Sequence, residues 1–170
     1  MIYPIVKFGN PILEKPSETV TVFDEELEKL TEDMFESMYA AHGVGLAAPQ
    51  IGIGRRIAVI DVTFKEDPNG KLVLINPEII HTEGRHSQSE GCLSIPDFRE
   101  NVTRPKTVTI RAQDAKGNVF EKTGEELLAR AFQHETDHLN GKLYISHVSA
   151  LKRDLIKRKI KKLQKAGEWE

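Results

Sequence analysis

Two histidines four residues apart, with a glutamate after the first, occupy His134-Glu135-Thr136-Asp137-His138 in the middle of an otherwise apolar helical pattern. Leu127, Leu128, Ala131, Phe132 and Leu139 spread over a wide arc, so this helix is expected to be central and buried. On a helix the i, i+4 spacing turns both imidazoles toward one metal ion and leaves the glutamate free to act on a water there. A catalytic centre of this kind takes three protein ligands plus a water, so the identity of the third ligand decides the chemistry.

The rest of the chain is read as elements around that helix. Thr123 and Glu126 form a capping-box pattern before it, and Gly141 ends it. Asp24 caps an earlier helix whose Leu27, Leu30, Met34, Met38 and Ala41 fall at helical spacing until Gly43 stops it. Residues 57–62 and 71–80 are β-branched runs, the second interrupted by Pro77. Residues 106–124 alternate as a hairpin that turns near Lys116-Gly117-Asn118. Leu151, Leu155, Ile160 and Leu163 stripe a basic helix over 147–166 that ends near Gly167. The expected fold class is α+β: mixed and antiparallel strands packed around the central histidine helix, with an N-terminal and a C-terminal helix, in one domain over 1–170.

Composition limits the function classes. At 170 residues, 39% hydrophobic and 29% charged, the chain can bury a core without staples and is not of disordered type. No apolar run approaches the roughly 18 residues of a membrane helix. The first residues lack a signal-peptide pattern, and the single cysteine excludes an internal disulfide, so a reducing, cytoplasmic compartment is expected. The net charge of −2 hides an asymmetry. Residues 152–165 hold eight Lys/Arg against Asp154, leaving 16 basic and 25 acidic residues elsewhere, a body near −9. Such a basic run is either a solvated helix face or an attraction surface for polyanions.

Known peptidase patterns do not supply the third ligand. The longer HExxHxxGxxH pattern keeps Gly141 but has Tyr144 where its last histidine belongs. A downstream glutamate ligand is no better served, since the acids after His138 are Asp154, Glu168 and Glu170. Upstream, "EGCLSIP" (90–96) contains Cys92. A lone cysteine is either a small buried hydrophobe, a nucleophile paired with histidine, or a ligand. Within reach of a metal held by two histidines a thiolate would ligate, and a Cys/His/His set is an accepted catalytic one, so Cys92 is the best candidate. His42, His81, His86 and His147 sit in turns or polar stretches. The stretch "GVGLAAPQIG" (43–52) has two readings: a tight turn of small residues, or a bare backbone against which an extended substrate pairs while Gln50 aims an amide donor at an oxyanion. Asp137 and Gln133 are candidates to orient an imidazole, with a solvated helix face as the alternative for Asp137.

Together, HETDH, EGCLS and GVGLAAPQ resemble the signature segments of the peptide deformylases of bacterial type, in that family's order. The N-terminal "IVKFGNPIL", the "RPKTVTI" strand and the C-terminal helix extend the likeness over nearly the whole chain. The resemblance implies Cys92, His134 and His138 as metal ligands, Glu135 as general base, and Gln50 with the Leu93 N–H as oxyanion donors. It implies Val44, Gly45 and Leu93 as substrate-holding positions, with Arg99 and Arg130 as further candidates for substrate contact. It also implies ferrous iron as the metal, replaced by zinc, nickel or cobalt in preparations. The implied substrate is the N-formyl-methionyl start of new polypeptides, with formate and a free amine as products. The C-terminal helix is then a candidate for contact with the ribosome, while no membrane or specific DNA partner is expected. The rivals are a metallopeptidase of another class and a non-catalytic, metal-stabilised binding module.

Overall fold

The computed structural model describes residues 1–169; Glu170 lies outside the described residues. Helix α1, Glu25–Ala40, starts where expected, with Asp24 Oδ1 accepting from the Leu27 N–H at 3.0 Å. Leu27, Met34 and Met38 form its buried stripe. It ends one step earlier than Gly43: the left-handed residue is His42, at φ 59°. Strand β1, Gly45–Ala47, follows, then a 3-10 turn at Ala48–Ile51 and strand β2, Ile57–Ile60. The next strands are β3 (Leu72–Glu83), β4 (His86–Cys92), β5 (Ile95–Arg104), β6 (Thr107–Gln113) and β7 (Val119–Glu125).

The expected α+β class holds. Five strands make an antiparallel sheet in the order β1-β2-β3-β6-β7, and β4 and β5 form a separate hairpin. Pro77 does not end β3. Having no N–H to give, it sits in a bulge where the register with β6 shifts between Ile75 and Glu78, and Asn76 takes φ 51°. The β6–β7 hairpin turns through Gly117 as read from the sequence.

Helix α2, Leu127–Leu139, packs against all five strands of the sheet. Ala129, Phe132 and Leu139 pack on Ala58, Leu74, Val108 and Ile110. Its entry differs from the capping box. Thr123 is still in β7, where its hydroxyl pairs with that of Thr109 at 2.7 Å, and Glu126 turns the chain at φ 54° with no side-chain cap bond. The strand runs straight into the helix and leaves no loop in which a cap could form. At the far end Gly141 has φ 78°, and a Cβ there would stand 2.9 Å from the Glu14 carbonyl oxygen, so only glycine fits.

Helix α3, Ala150–Lys165, follows a 3-10 turn at Tyr144–His147. Its buried residues are Ile156 and Ile160, while Leu151 and Leu155 of the expected stripe are 71% and 46% exposed. The i, i+4 pair 156/160 gives a tighter contact than positions drifting by four, five and three residues. That pair packs on Ile95, Val102 and Tyr144 of the hairpin region. Among the described residues no helix is long and apolar enough to cross a membrane.

Candidate active site

Two elements converge on one point. Helix α2 contributes His134 and His138, and the tight β4–β5 turn, where Cys92 pairs with Ile95, contributes Cys92. The ligating atoms of the three lie within 4.8 Å of one another. Cys92 Sγ is 3.4 Å from His138 Nε2, which is 3.2 Å from His134 Nε2. A tetrahedral ion bonded at about 2.0–2.3 Å spaces its ligands roughly 3.3–3.7 Å apart, so the donor set fits a thiolate- and imidazole-binding divalent metal.

The residue behind His134 was not picked out from the sequence. Glu90, 5% exposed on β4, accepts from His134 Nδ1 at 2.7 Å. It also takes a two-pronged bond from Arg104 at 2.8 and 2.7 Å, and a third arginine contact from Arg130 at 2.8 Å. Burial resists its charge, but the bonds from Arg104 and His134 hold its carboxyl well below the usual carboxylate range. A carboxylate behind a ligating histidine fixes the ring's tautomer and orientation. The ring also stacks on Tyr144, with centroids 6.4 Å apart and planes at 19°. Neither of the candidates read from the sequence for that task touches an imidazole of the pair directly. Gln133 donates to the Ala129 and Pro105 carbonyls, and Asp137 pairs with Arg104 at 3.0 Å and with His147 at 2.8 Å. The sequence signal for Glu90 was its place two residues before Cys92, within a segment read for its cysteine alone.

A cleft of about 580 Å³ opens beside these donors and is lined by Val44, Gly45, Gln50, Leu93, Arg99, Arg130 and Glu135. Glu135 is 4% exposed, and its Oε1 has no hydrogen-bond partner among the described residues. Burial, opposed by the His134 charge, pushes its carboxyl up to about 7. The carboxylate fits because residue 45 is glycine: a Cβ there would stand 2.5 Å from Glu135 Oε2. Gln50 is buried with a defined amide direction. Its Oε1 accepts from the Ala47 N–H at 3.0 Å, which leaves Nε2 facing Ser94 Oγ at 3.2 Å and Cys92 Sγ at 3.5 Å. The Leu93 side chain fills the space that a Cβ on Gly43 would take.

Strand β1 is the end strand of its sheet. The Asp61 N–H donates to the Val44 carbonyl, so by antiparallel alternation the N–H and C=O of Gly45 point away from β2. Arg99 reaches back over Gly91 to bond the Ser89 hydroxyl and carbonyl at 3.0 and 3.1 Å. Arg130 lines the cleft, yet its two Nη atoms are committed to Glu90, the Val102 carbonyl and the His86 carbonyl.

The sequence profile described as polypeptide deformylase matches residues 2–154. The chain belongs to the polypeptide deformylase family. A peptide deformylase of Acidobacterium capsulatum is 63% identical over 169 residues, covering 99% of each chain. One of Cellvibrio japonicus is 47% identical over 167 residues, 98% of each. The crystal structure of a peptide deformylase from Legionella pneumophila superposes with a TM-score of 0.91 at 43% identity, covering 100% of this chain and 99% of that one. Polypeptide deformylases are metal-dependent hydrolases that remove the N-formyl group from nascent polypeptides, and this chain is an enzyme of that kind.

Proposed function

We propose that Cys92, His134 and His138 hold one divalent metal, ferrous iron in the working enzyme, with zinc, nickel or cobalt as replacements. When bound, the metal supplies a Lewis acid that activates water and polarises the formyl carbonyl. Glu135 removes a proton from the attacking water and delivers it to the leaving amine nitrogen as the formyl C–N bond breaks, so formate and a free amine result. Its raised carboxyl range suits a group that must both take and return a proton near neutral pH. Gln50 Nε2 and the Leu93 N–H face the oxygen that gains negative charge.

The substrate backbone pairs with Val44 and Gly45 along the open edge of β1. Arg130, its guanidinium turned away, lends its aliphatic stem to the methionine side chain. Arg99 uses its remaining Nη for a carbonyl further along the peptide. The whole chain, 1–170, works as one domain in the cytoplasm, and the cationic face of α3 draws it to the ribosome. Ribosome cosedimentation is expected to weaken with salt and with charge reversal on α3; indifference to both would remove that partner.

The observation that carries the reading is the buried Glu135 carboxylate sitting beside a convergent thiol and two imidazoles, with a bare strand edge across the cleft. The test is formate release from a formyl-Met peptide and its acetyl-Met counterpart, using anaerobically purified protein of measured metal content. Release from the formyl substrate alone, from iron-containing protein, is expected. Glu135→Gln should keep the metal and lose about 10²–10⁴-fold in turnover. Full activity of metal-loaded Glu135→Gln would remove Glu135 from the chemistry.

A further inference from the structure

The contacts behind His134 do not stop at Glu90. Arg104, whose Nε and Nη2 hold Glu90, sends Nη1 to Asp137 at 3.0 Å, and Asp137 stands on α2 one residue before the second histidine. The path therefore leaves α2 at His134, crosses to β4 at Glu90, passes to β5 at Arg104 and returns to α2 at Asp137. It is a closed ring of three elements, with every link between 2.7 and 3.0 Å. Arg104 and Glu90 are 4% and 5% exposed, so solvent does little to loosen the circuit. The ring spans the same gap as the metal donors, since the hairpin of β4 and β5 carries Cys92 while α2 carries both histidines.

We propose that Asp137 is a positioning residue for the metal centre, acting through Arg104 and Glu90 to hold the Cys92 hairpin at its working distance from the histidine helix. The two-pronged bond to Glu90 aligns one edge of the Arg104 guanidinium. A second carboxylate on Nη1 anchors that pair to α2, and with it the oxygen that orients the His134 ring. His147, bonded to the same Asp137 oxygen at 2.8 Å and partly exposed, closes the ring from the solvent side. This inference rests on the ligand set proposed above.

The test measures zinc release to a chelator, and the ligand-field spectrum of the cobalt-loaded protein, for wild type, Asp137→Asn, Asp137→Glu, Arg104→Gln, the Asp137→Asn/Arg104→Gln double variant and Cys92→Ala. Asp137→Asn should release zinc about 10-fold faster and shift the cobalt bands. Asp137→Glu, which keeps the charge, should recover part of the difference. The double variant should match Arg104→Gln alone, because Asp137 has no route to the metal without Arg104. Wild-type release and spectrum in Asp137→Asn, or additive effects in the double variant, would overturn the proposal. Cys92→Ala separates the two ideas: wild-type zinc binding there would sink the ligand set itself, whereas lost binding with an unaltered Asp137→Asn would sink only the positioning role. A residue that merely stabilised the fold would lower the melting temperature and leave the cobalt bands in place.

Discussion

The two walls of the cleft are built on opposite plans. The hairpin wall is cross-linked by charge: Glu90 gathers Arg104, Arg130 and His134, and Arg104 reaches on to Asp137. The β1 wall has no such fastening. It presents glycine backbone at 43 and 45, and its shape is fixed from behind by β2 and by the Asp61 node. On the proposed reading, metal ligands need their distances held, and buried charge makes their wall rigid, whereas a wall that pairs with a varied peptide needs free backbone groups and empty space, so side chains are left out of it. The difference locates specificity in absence on one side and in fixed charge on the other.

That contrast breaks most sharply at Glu90. Glu90→Gln leaves the buried Arg130 guanidinium without a counter-charge and Arg104 with Asp137 alone, and should cost about 3–5 kcal/mol in denaturant unfolding together with roughly 10–100-fold in metal affinity. A variant with normal stability and normal affinity would show that the charge cluster is idle. On the bare wall, Gly45→Ala puts a methyl 2.5 Å from Glu135 Oε2. Turnover should fall by about 100-fold while the melting temperature and metal content change little, because the carboxylate moves and the fold does not. If the methyl were tolerated at full turnover, the close approach would carry no functional weight.

The smallest effect concerns what stands behind the bare wall. Asp61 is fully buried and accepts from the Thr63 N–H and hydroxyl, the Lys65 N–H and the Tyr39 hydroxyl. Burial pushes its carboxyl up, but these bonds outweigh it and leave the value at about 2, below the ordinary 3.8. A depressed carboxylate stabilises the fold fully above its unfolded value. That contribution is lost as pH falls from 3.8 toward about 2. The gap between wild type and Asp61→Asn should be about 1–2 kcal/mol at neutral pH, and should narrow over that acid window. A gap that stayed constant down to pH 2 would assign the stabilisation to shape rather than charge.

Helix α2 and the shared placement of His134 and His138 on it were legible in the sequence because two independent periodicities coincide there: the apolar arc of Ala131, Phe132 and Leu139, and the i, i+4 pair of histidines. Cys92 followed by elimination and by chemistry. The hairpin that carries it was invisible as a hairpin. "HSQSEGC" has no β-branched run, since β4 and β5 stand outside the main sheet and bury few of their side chains. Glu90 and Arg104 look like ordinary solvated charges until the fold closes over them, and their pairing spans 14 residues in sequence. Arg130 lines the cleft, but spacing cannot say which way a guanidinium turns, and Glu90 decides that. The capping box failed for a related reason. Thr123 has the right spacing, but tertiary pairing with Thr109 had already claimed it for the sheet.

Strand β1 is only three residues long and ends its sheet, with Ala48 turning away at once into a 3-10 turn. A long open edge is a template for any passing chain and a route to aggregation. Three residues offer too few unpaired groups to recruit another sheet, while remaining enough, on the proposed reading, to align the first few residues of a chain. The same brevity lets one edge stay open to guests in a crowded solution without becoming a seed.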